Sequence, residues 1–361
     1  MELSSQEIYR YSRHLLLGEV GEAGQVKLKE AKVLIIGAGG LGCPILLYLT
    51  AAGVGTIGVV DFDTIDESNL QRQILFNTDD IGRSKAEVAK EKMLAKNPFI
   101  NVVVYNEEVT NKNALEIFNE FDIVVDGTDN FSTRYLVNDA CVLAKKPLVY
   151  GAIHKFEGQV SVFNFQDGPT YRCLFPTPPK SGTVPSCSEV GVIGVLPGII
   201  GTQQANEVIK IILGKGKVLS GRLQIYNALQ ASFMEVKLNK SVELKDFGIK
   251  SVTDFTSFDY KFYCGVSVKA TEGVTLKELE QFPNDTFVLD VRENWEKPQL
   301  ANKQRLNAPL DDLDDYIGEI PTDKDVYVLC QRGARSRAAI EYLEKEYKFT
   351  NLINVEGGML G

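Results

Sequence analysis

The sequence predicts an α/β protein in which a large domain on a mostly parallel sheet is followed by a smaller α/β domain. Near the N-terminus, an apolar run over 33–36 leads into a glycine-rich turn, an apolar helical stretch and a second strand that ends at Asp61. Near the C-terminus, the strand 326–329 runs directly into Cys330 and then a helix. Short, uninterrupted apolar runs are typical of buried parallel strands, so both regions are interpreted as strand–turn–helix units.

The glycine-rich turn, GAGGLG, contains Gly37, Gly39, Gly40 and Gly42. The GxGxxG spacing lets the backbone approach a phosphate closely, and the helix that follows points its N–H groups at it. Asp61, at the end of the next strand, is placed to accept a hydrogen bond from a ribose hydroxyl. This Rossmann-like order of elements predicts a nucleotide site without naming the nucleotide; the alternative is a tight turn that binds nothing.

Composition excludes several classes of protein. With 44% hydrophobic and 24% charged residues, the chain of 361 residues is typical of an ordinary globular protein of two or three domains. A net charge of −9 argues against non-specific binding to nucleic acid or to an anionic membrane. The six cysteines form no CxxC pair, which indicates a reducing compartment. The sequence shows neither a signal peptide nor a long apolar span, so we expect a cytoplasmic protein.

A helix is predicted over 4–17, with Ser4 or Ser5 as its N-cap. Its basic residues Arg10, Arg13 and His14 are interpreted as a solvated face or as part of a site.

The polar segment 62–73 follows the second strand, at the edge of the sheet where open α/β proteins bind ligands. Within it, Arg72 can form a fork of hydrogen bonds to a phosphate, and Lys85, at the start of the next helix, can act as a point charge. Taken alone, each is more often a surface cation. A later strand, 123–126, leads into Asp126 and Asp129, which are plausible Mg²⁺ ligands or, alternatively, caps of the following helix.

Further strands are predicted over 102–105, 147–151 and, in a more antiparallel region, 159–164. The segment 166–191 is rich in Pro, Gly, Ser and Thr and is interpreted as a long irregular crossover. Cys187 lies near its end, just before an apolar helix over 190–213, where a helix N-terminus would lower the pKa of a thiol. The alternative is a small buried residue.

The smaller domain is predicted to contain a helix over 276–281 and strands over 287–293 and 326–329. The last strand leads into a loop that carries Cys330, Arg332 and Arg335 and opens a helix reaching about residue 347. Backbone N–H groups at a helix N-terminus would hold the cysteine as a thiolate and stabilise an anion attached to it.

Several motifs are shared with known families. Residues 1–238 resemble the MoeB/ThiF family, bacterial relatives of the ubiquitin-activating enzymes, and residues 268–361 resemble a rhodanese domain, with 239–267 as a linker. The motifs that carry the resemblance are RYSR (10–13), GAGGLG (37–42), DFDTIDESNLQRQ (61–73), GRSK (82–85), DGTDN (126–130), the Cys187 segment, DVRE (290–293) and CQRGAR (330–335).

The resemblance implies ATP as the nucleotide and Mg²⁺ as its counterion, with Gly40 against the phosphates and Asp129 on the metal. It implies that Arg13 reaches the nucleotide site of the other subunit in a homodimer. The implied nucleotide-binding residues are Gly37, Gly39, Gly40, Gly42, Asp61, Asp63, Ser68, Asn69, Leu70, Gln71, Arg72, Lys85, Asp129 and Asn130. The implied catalytic residues are Arg13, Arg72, Lys85, Asp129, Cys187 and Cys330.

The implied substrate is a ubiquitin-like sulfur carrier whose C-terminal Gly-Gly is adenylated and converted to a thiocarboxylate, in molybdopterin or thiamine thiazole synthesis, with molybdopterin favoured. A carboxylate with a pKa near 3.5 is already a nucleophile at neutral pH, so the presence of only two histidines, His14 and His154, fits chemistry without a histidine base. Cys330 would carry a persulfide supplied by a persulfide donor or by thiosulfate, and Cys187 would form a thioester or a disulfide. The alternatives are a carrier-binding module without catalysis and an NAD-dependent oxidoreductase.

Two departures from the families bear on these expectations. Many members bind structural zinc with two CxxC pairs, whereas here Thr170 occupies the first position of the first pair and only Cys173 remains. A closed zinc site needs four ligands, so no zinc site is predicted. The chain ends at Gly361, before the final helix of rhodanese domains, and we therefore expect a short and less stable second domain.

Overall fold

A computed structural model describes residues 2–179, 191–264, 273–300 and 303–360. The chain divides into two compact units, Met1–Cys264 and Gly265–Gly361. Cys187 lies outside the described residues.

The first unit is built on a sheet of eight strands in the order β3-β2-β1-β4-β5-β6-β7-β8. Its strands are β1 (Lys32–Ile36), β2 (Thr56–Val60), β3 (Asn101–Tyr105), β4 (Ile123–Asp126), β5 (Leu148–His154), β6 (Glu157–Phe163), β7 (Arg222–Asn227) and β8 (Ser232–Lys237). The strands from β3 to β5 run parallel, and β6, β7 and β8 are added antiparallel. The predicted α/β fold with a mostly parallel first sheet is confirmed.

The helices of this unit are α1 (Ser5–Arg10), α2 (Ser12–Leu15), α3 (Gly21–Glu30), α4 (Gly42–Ala52), α5 (Lys85–Lys96), α6 (Ala114–Asn119), α7 (Phe131–Leu143), α8 (Tyr171–Leu174), α9 (Val195–Leu213), α10 (Val252–Ser257) and α11 (Tyr260–Tyr263). Short 3₁₀ turns cover Glu67–Asn69, Thr78–Asp80 and Leu244–Phe247. One apolar core joins α4, α5 and α9 to one face of the sheet, and a second joins α6 and α7 to the other face. Alternate residues of β1 fill the two cores, because successive side chains of a strand point to opposite faces.

The predicted N-terminal helix is two helices in the structure. Ser4 caps α1 through a reciprocal hydrogen-bond pair with Glu7, as the sequence predicts. Tyr11 separates α1 from α2 because its side chain is buried, where its hydroxyl accepts a hydrogen bond from Asn97 Nδ2 at 2.8 Å.

Residues 244–264 differ from the predicted linker. They form a 3₁₀ turn, α10 and α11, and their apolar side chains pack into the core beside α7. Phe255 is fully buried there, and Asn111 Nδ2 donates to the carbonyl oxygens of Thr256 and Phe258 at 2.7 and 3.0 Å. The stretch has an apolar or aromatic residue at about every third position from Phe247 to Phe258, and the linker prediction gave more weight to its mixed charge than to these residues.

The second unit contains a five-strand, all-parallel sheet in the order β11-β10-β12-β13-β9. Its strands are β9 (Val274–Thr275), β10 (Phe287–Asp290), β11 (Gln304–Asn307), β12 (Val326–Leu329) and β13 (Leu352–Glu356). Helices α12 (Leu276–Gln281) and α13 (Ala334–Tyr347) and the 3₁₀ segments Leu310–Glu319 and Gly358–Leu360 complete the unit. This arrangement confirms the smaller α/β domain.

No helix in the described part of the chain is long and apolar enough to cross a membrane.

Candidate active site

The first unit carries an open cleft at the carboxyl edge of β1, β2 and β4. Ligands of open α/β sheets bind at this edge, so the cleft lies where the sequence predicts a nucleotide. The predicted residues that line it are Gly37, Gly39, Gly40, Asp61, Asp63, Arg72, Lys85, Asp129 and Asn130.

The glycine turn needs its glycines at Gly37 and Gly42. Gly37 has a φ of +92°, which L side chains rarely adopt, and an added Cβ would lie 3.0 Å from the carbonyl oxygen of Gly127. A Cβ on Gly42 would lie 2.0 Å from the carbonyl oxygen of Gly37. The turn is therefore packed so closely that neither of these two positions has room for a side chain.

Asp61 connects the glycine turn to the segment after β2. Its carboxylate accepts from the backbone N–H of Ala38 at 2.7 Å and from that of Asp63 at 2.9 Å. Burial raises the pKa of Asp61, against the opposing effects of Lys85 and of these two hydrogen bonds. Both oxygens keep a free lone-pair direction, as the predicted ribose contact requires.

Lys85 lies at the start of α5 and is 5% exposed. Its ammonium group contacts Asp63 Oδ2 at 2.9 Å, and its backbone N–H donates to the carbonyl oxygen of Asp63. Asp63, predicted to bind the nucleotide, therefore holds Lys85 at the rim of the cleft in this structure.

The polar stretch between Asp66 and Gln73 divides into two roles. Ser68, Asn69, Leu70 and Gln71 are not among the residues that line the cleft. The carbonyl oxygen of Ser68 accepts from Arg72 Nη1 at 3.0 Å, and that of Asn69 accepts from the backbone N–H groups of Arg72 and Gln73. This turn therefore positions Arg72 and Gln73, which do line the cleft.

The two acids after β4 have separate environments. Asp126 is buried and accepts from the Thr128 backbone N–H at 2.9 Å and from its hydroxyl at 2.6 Å, while Arg134 Nε lies 3.9 Å from its carboxylate. Burial raises the pKa of Asp126, and Arg134 and Thr128 oppose this. Asp126 is thus neither an exposed metal ligand nor a helix cap.

Asp129 is exposed at the cleft and has no hydrogen-bond partner among the described residues. Asn130, not an acid, caps α7, because its Oδ1 accepts from the Thr133 backbone N–H at 2.9 Å. A free carboxylate beside a predicted triphosphate site has the chemistry of a Mg²⁺ ligand, so Asp129 remains the predicted Mg²⁺ ligand.

Arg13 is exposed on α2, does not line the cleft, and has no hydrogen-bond or ion-pair partner in the described ranges. His14 Nδ1 lies 2.9 Å from Gln25 Oε1, and His154 is exposed at the end of β5. Neither histidine lines the cleft.

Three residues that support the cleft were missed by the sequence analysis. Arg134 Nη2 donates to the carbonyl oxygen of Thr128 at 2.9 Å, and Gln204 Nε2 on α9 donates to that of Asp126 at 2.7 Å. Gln73 lines the cleft with its buried Oε1 unpartnered. Gln73 is the last residue of a motif already noted, whereas Arg134 lies beyond the DGTDN motif, and Gln204 gives no local signal because its partner is far away in the chain.

A buried ion pair occupies the 170–173 region, where the resemblance to zinc-binding family members would place the first cysteine pair. Arg172 is fully buried and makes a two-point contact with Asp139, on α7, at 2.7 and 2.8 Å. Tyr260 donates its hydroxyl to Asp139 at 2.8 Å, and the Tyr263 hydroxyl accepts from Arg172 at 2.9 Å. The ion pair therefore joins α8 to α7, and the two tyrosines add α11. The described residues contain no group of three His, Cys, Asp or Glu side chains that could hold a metal.

In the second unit, Cys330 follows β12 and is 1% exposed. Its sulfur accepts from the Gly333 backbone N–H at 3.0 Å and lies 3.4 Å from Ser336 Oγ. Its carbonyl oxygen accepts from the backbone N–H of Met359, in the 3₁₀ turn after β13. Gly358 packs so closely on this loop that a Cβ would lie 2.3 Å from the carbonyl oxygen of Cys330.

Ion pairs surround the Cys330 loop. Asp290 and Arg292 are both buried and make a two-point contact at 2.8 and 2.9 Å, and Arg292 also donates to Gln331 Oε1 at 3.0 Å. Arg335 makes a second two-point contact, with Glu296. The structure therefore brings the loop's predicted residues together and adds carboxylate partners that the sequence analysis did not find.

Comparison with known proteins identifies the family. The sequence pattern described as the ThiF family matches residues 11–245. The chain is 41% identical over 374 residues to the probable adenylyltransferase/sulfurtransferase MoeZ of Mycobacterium tuberculosis, covering 99% of this chain and 93% of that protein. It is 49% identical over 271 residues to the sulfur carrier protein adenylyltransferase of Thermus thermophilus, covering 74% of this chain and 100% of that protein.

A solved structure supports the same assignment. The crystal structure of E. coli MccB with ATP superposes with a TM-score of 0.56 at 25% sequence identity, covering 64% of this chain and 72% of that chain. With a family match over most of the first unit and a relative matched along nearly the whole chain, the protein belongs to the ThiF family.

Proposed function

We propose that this protein uses ATP to adenylate the C-terminal Gly-Gly of a ubiquitin-like sulfur carrier, and that Cys330 supplies sulfur to convert the adenylate to a thiocarboxylate. The observation that carries the proposal is the convergence of the glycine turn, Asp61, Arg72, Lys85 and Asp129 on one cleft of a chain that matches an adenylyltransferase/sulfurtransferase along its length. The name of another relative, a probable molybdopterin-synthase adenylyltransferase of Porphyra purpurea, favours the molybdopterin pathway over the thiazole pathway.

The cleft offers what adenylation needs. An oxygen of the carrier's carboxylate attacks the α-phosphorus of ATP, the bond to the β-phosphate oxygen breaks, and pyrophosphate leaves with the electron pair. The carboxylate needs no general base, so the protein must align the reactants and neutralise the charge on the leaving group. Arg72 and Lys85 are the cations of the cleft suited to this, and the backbone of the glycine turn can approach the phosphates.

Asp63 gives Lys85 a defined resting position. The ammonium group is held at 2.9 Å from Asp63 Oδ2 and is almost buried, so it is partly desolvated before a phosphate arrives. Exchange of one anionic partner for another costs little desolvation, which makes a preorganised cation more effective. Asp129 is the residue suited to hold Mg²⁺, which would neutralise further charge on the triphosphate.

The second step places sulfur on the carrier. The outer sulfur of a Cys330 persulfide attacks the acyl carbon and AMP leaves, which gives an acyl disulfide. A second thiolate then attacks the Cys330 sulfur, and the thiocarboxylate leaves with the electron pair; Cys187 is the candidate for that thiolate. A thiol reductant then reduces the resulting disulfide and regenerates both thiols.

We also propose a homodimer in which Arg13 contributes to the partner's nucleotide site. Its exposure on α2, away from its own cleft, is compatible with such a role. A mixture of Arg13→Ala and Lys85→Ala chains tests this directly, because a hybrid dimer would retain one intact site. Recovery of activity on mixing two inactive variants is expected, and its absence in a sample shown to be dimeric would contradict the role of Arg13.

The test of the main proposal is carrier-dependent exchange of pyrophosphate into ATP, with Gly-Gly carriers of the molybdopterin and thiazole pathways assayed in parallel. Exchange with one carrier, lost in Asp129→Asn, is the expected result. A separate nucleotide-binding measurement with ATP and with NAD tests the dehydrogenase alternative, which requires binding of NAD. Binding of a carrier without exchange would instead indicate a non-catalytic module.

A further inference from the structure

Glu296 and Arg335 form a shielded ion pair beside the Cys330 loop. Each carboxylate oxygen lies 2.6 Å from one guanidinium nitrogen, the geometry of a two-point contact. The side chains are only 12% and 19% exposed. Although burial opposes it, the hydrogen bonds from Arg335 lower the pKa of Glu296, so the carboxylate is ionised at neutral pH and the pair carries no net charge.

Two other arginines near the loop also have carboxylate partners. Arg292 is paired with the buried Asp290, which Arg305 also faces at 3.6 Å, and Arg337, on α13, is paired with Glu356 in a more exposed contact. Arg332 is exposed and has no ion-pair partner within the described part of the chain. The loop CQRGAR therefore has two arginines in its sequence but presents one uncompensated cation.

The net charge around Cys330 matters because sulfur donors differ in charge. Thiosulfate is a dianion, so its approach to a Cys330 thiolate brings three negative charges together. The persulfide of a thiol is neutral or singly charged and brings at most two. In the partly dehydrated surroundings of a buried thiol, each uncompensated charge pair is costly, so thiosulfate needs more positive charge than a thiol persulfide does.

We propose that Glu296 determines the class of sulfur donor: by neutralising Arg335, it makes Cys330 accept sulfur from the persulfide of a thiol in preference to thiosulfate. The inference rests on the proposed role of Cys330 as the sulfur carrier. Glu296 acts through Arg335 and is a specificity-determining residue, since it does not itself contact the thiol.

The sulfur atom is transferred to Cys330 by the same reaction with both classes of donor. The Cys330 thiolate attacks the outer sulfur of the donor, a new sulfur–sulfur bond forms, and the donor's own sulfur–sulfur bond breaks. With a thiol persulfide the leaving group is a thiolate; with thiosulfate it is sulfite, which carries two negative charges. The same loop must stabilise the leaving group, so the neutral Glu296–Arg335 pair disfavours thiosulfate both on entry and on departure.

The test uses the full chain and measures persulfide formation on Cys330 by alkylation and mass spectrometry. Three donors are compared: thiosulfate, glutathione persulfide, and a protein persulfide generated by a cysteine desulfurase from cysteine. In Glu296→Gln, kcat/KM for thiosulfate is expected to rise about tenfold and that for either persulfide to change less than about twofold, because the Glu296 charge no longer offsets the positive charge of Arg335. Added salt should reduce the gain.

Two further variants separate donor selection from general effects. Glu293→Gln removes the same charge three residues away, from an exposed position, and should leave the donor ratio unchanged. Glu296→Gln combined with Arg335→Gln should lose the thiosulfate gain, because the positive charge of Arg335 is removed as well.

The possible results have distinct meanings. Wild-type preference for either persulfide over thiosulfate, shifted by Glu296→Gln, supports the inference, and the better of the two persulfides identifies the source. A donor ratio that Glu296→Gln leaves unchanged overturns the inference while the role of Cys330 stands. A wild-type chain that takes sulfur from none of the three donors overturns the proposed role of Cys330 and the inference with it.

Discussion

The two units place their sites at equivalent edges of a sheet but differ in how far the ion pairs at these sites are shielded from solvent. Both place their chemistry at the carboxyl edge of a parallel sheet, after β1, β2 and β4 in one and after β12 in the other. The first unit pairs Lys85 with Asp63, whose side chain is 54% exposed and open to exchange with a phosphate, and leaves Asp129 without a hydrogen-bond partner among the described residues. The second unit pairs Arg335 with Glu296, whose side chain is only 12% exposed, beside a buried thiol. The difference indicates that the first site is suited to a highly charged ligand and the second to a donor of low charge.

The strongest test of this comparison uses one variant in each unit, each of which should abolish only the activity of its own unit. Lys85→Ala should reduce carrier-dependent pyrophosphate exchange by at least about 100-fold, because a preorganised cation on the phosphates is lost, and should leave persulfide formation on Cys330 within about twofold. Cys330→Ala should do the reverse, with the thiol control Cys173→Ala leaving both activities intact. Loss of both activities in either single variant, with the chain still folded, would show that the units do not act as separate sites.

Two of the buried aspartate–arginine pairs, one in each unit, offer a second comparison. Arg292 contacts Asp290 at 2.8 and 2.9 Å, whereas Arg134 lies 3.9 Å from Asp126. Arg292→Met should therefore destabilise the second unit by about 3 kcal/mol, because it leaves the buried Asp290 carboxylate without its closest partner. Arg134→Met should destabilise the first unit by less, about 2 kcal/mol, because the longer contact between Arg134 and Asp126 contributes less.

The measurement is denaturant unfolding followed with a probe in each unit, because two units need not unfold together. Arg305→Met serves as a control in the second unit, since Arg305 also faces Asp290, at 3.6 Å, but is 23% exposed. An equal loss from Arg305→Met and Arg292→Met would contradict the assignment of the main pairing to Arg292.

The pH dependence of the second unit tests the state of Glu296. Its pKa is lowered from 4.5, so its contribution to stability is present above pH 4.5 and is lost as the pH falls through the lowered value. Wild type should exceed Glu296→Gln in free energy of unfolding by about 1 kcal/mol at pH 7, the scale of a charge-assisted hydrogen bond. The two chains should converge in acid, and a gap that is constant from pH 7 to 3 would mean that Glu296 is not the titrating group.

Salt should produce the smallest effect. Raising the ionic strength from about 0.05 to 0.5 M should lower kcat/KM for ATP several-fold, because charges that face solvent are screened. Persulfide formation from glutathione persulfide should change less than about twofold, since the arginines around Cys330, apart from Arg332, already have carboxylate partners. Equal salt sensitivity of the two reactions would contradict the comparison.

The parts of this structure that the sequence predicted are those set by neighbouring residues. The alternation of apolar strands with helices gave the α/β fold, and the glycine turn with Asp61 located the cleft, because a phosphate-binding turn is built from residues close together in the chain. The individual roles of Arg13, Arg72, Lys85 and Asp129 on the nucleotide stay predictions.

The parts that it did not predict depend on contacts between distant residues. Gln204 reaches the carbonyl oxygen of Asp126, and Glu296 reaches Arg335, across segments with no shared pattern. The linker prediction over 239–267 differs from the structure for the same reason, since residues 244–264 are held by contacts with α7, Arg172 and Asn111.

The most direct test of the account is thiocarboxylate formation by the full chain, measured by mass spectrometry of a Gly-Gly carrier incubated with ATP, Mg²⁺ and a thiol persulfide. We expect one carrier oxygen to be replaced by sulfur in the wild type and not in Cys330→Ala, while Cys330→Ala still exchanges pyrophosphate into ATP. Thiocarboxylate formed at the wild-type rate by Cys330→Ala would contradict the central claim that one unit activates the carrier and the other supplies the sulfur.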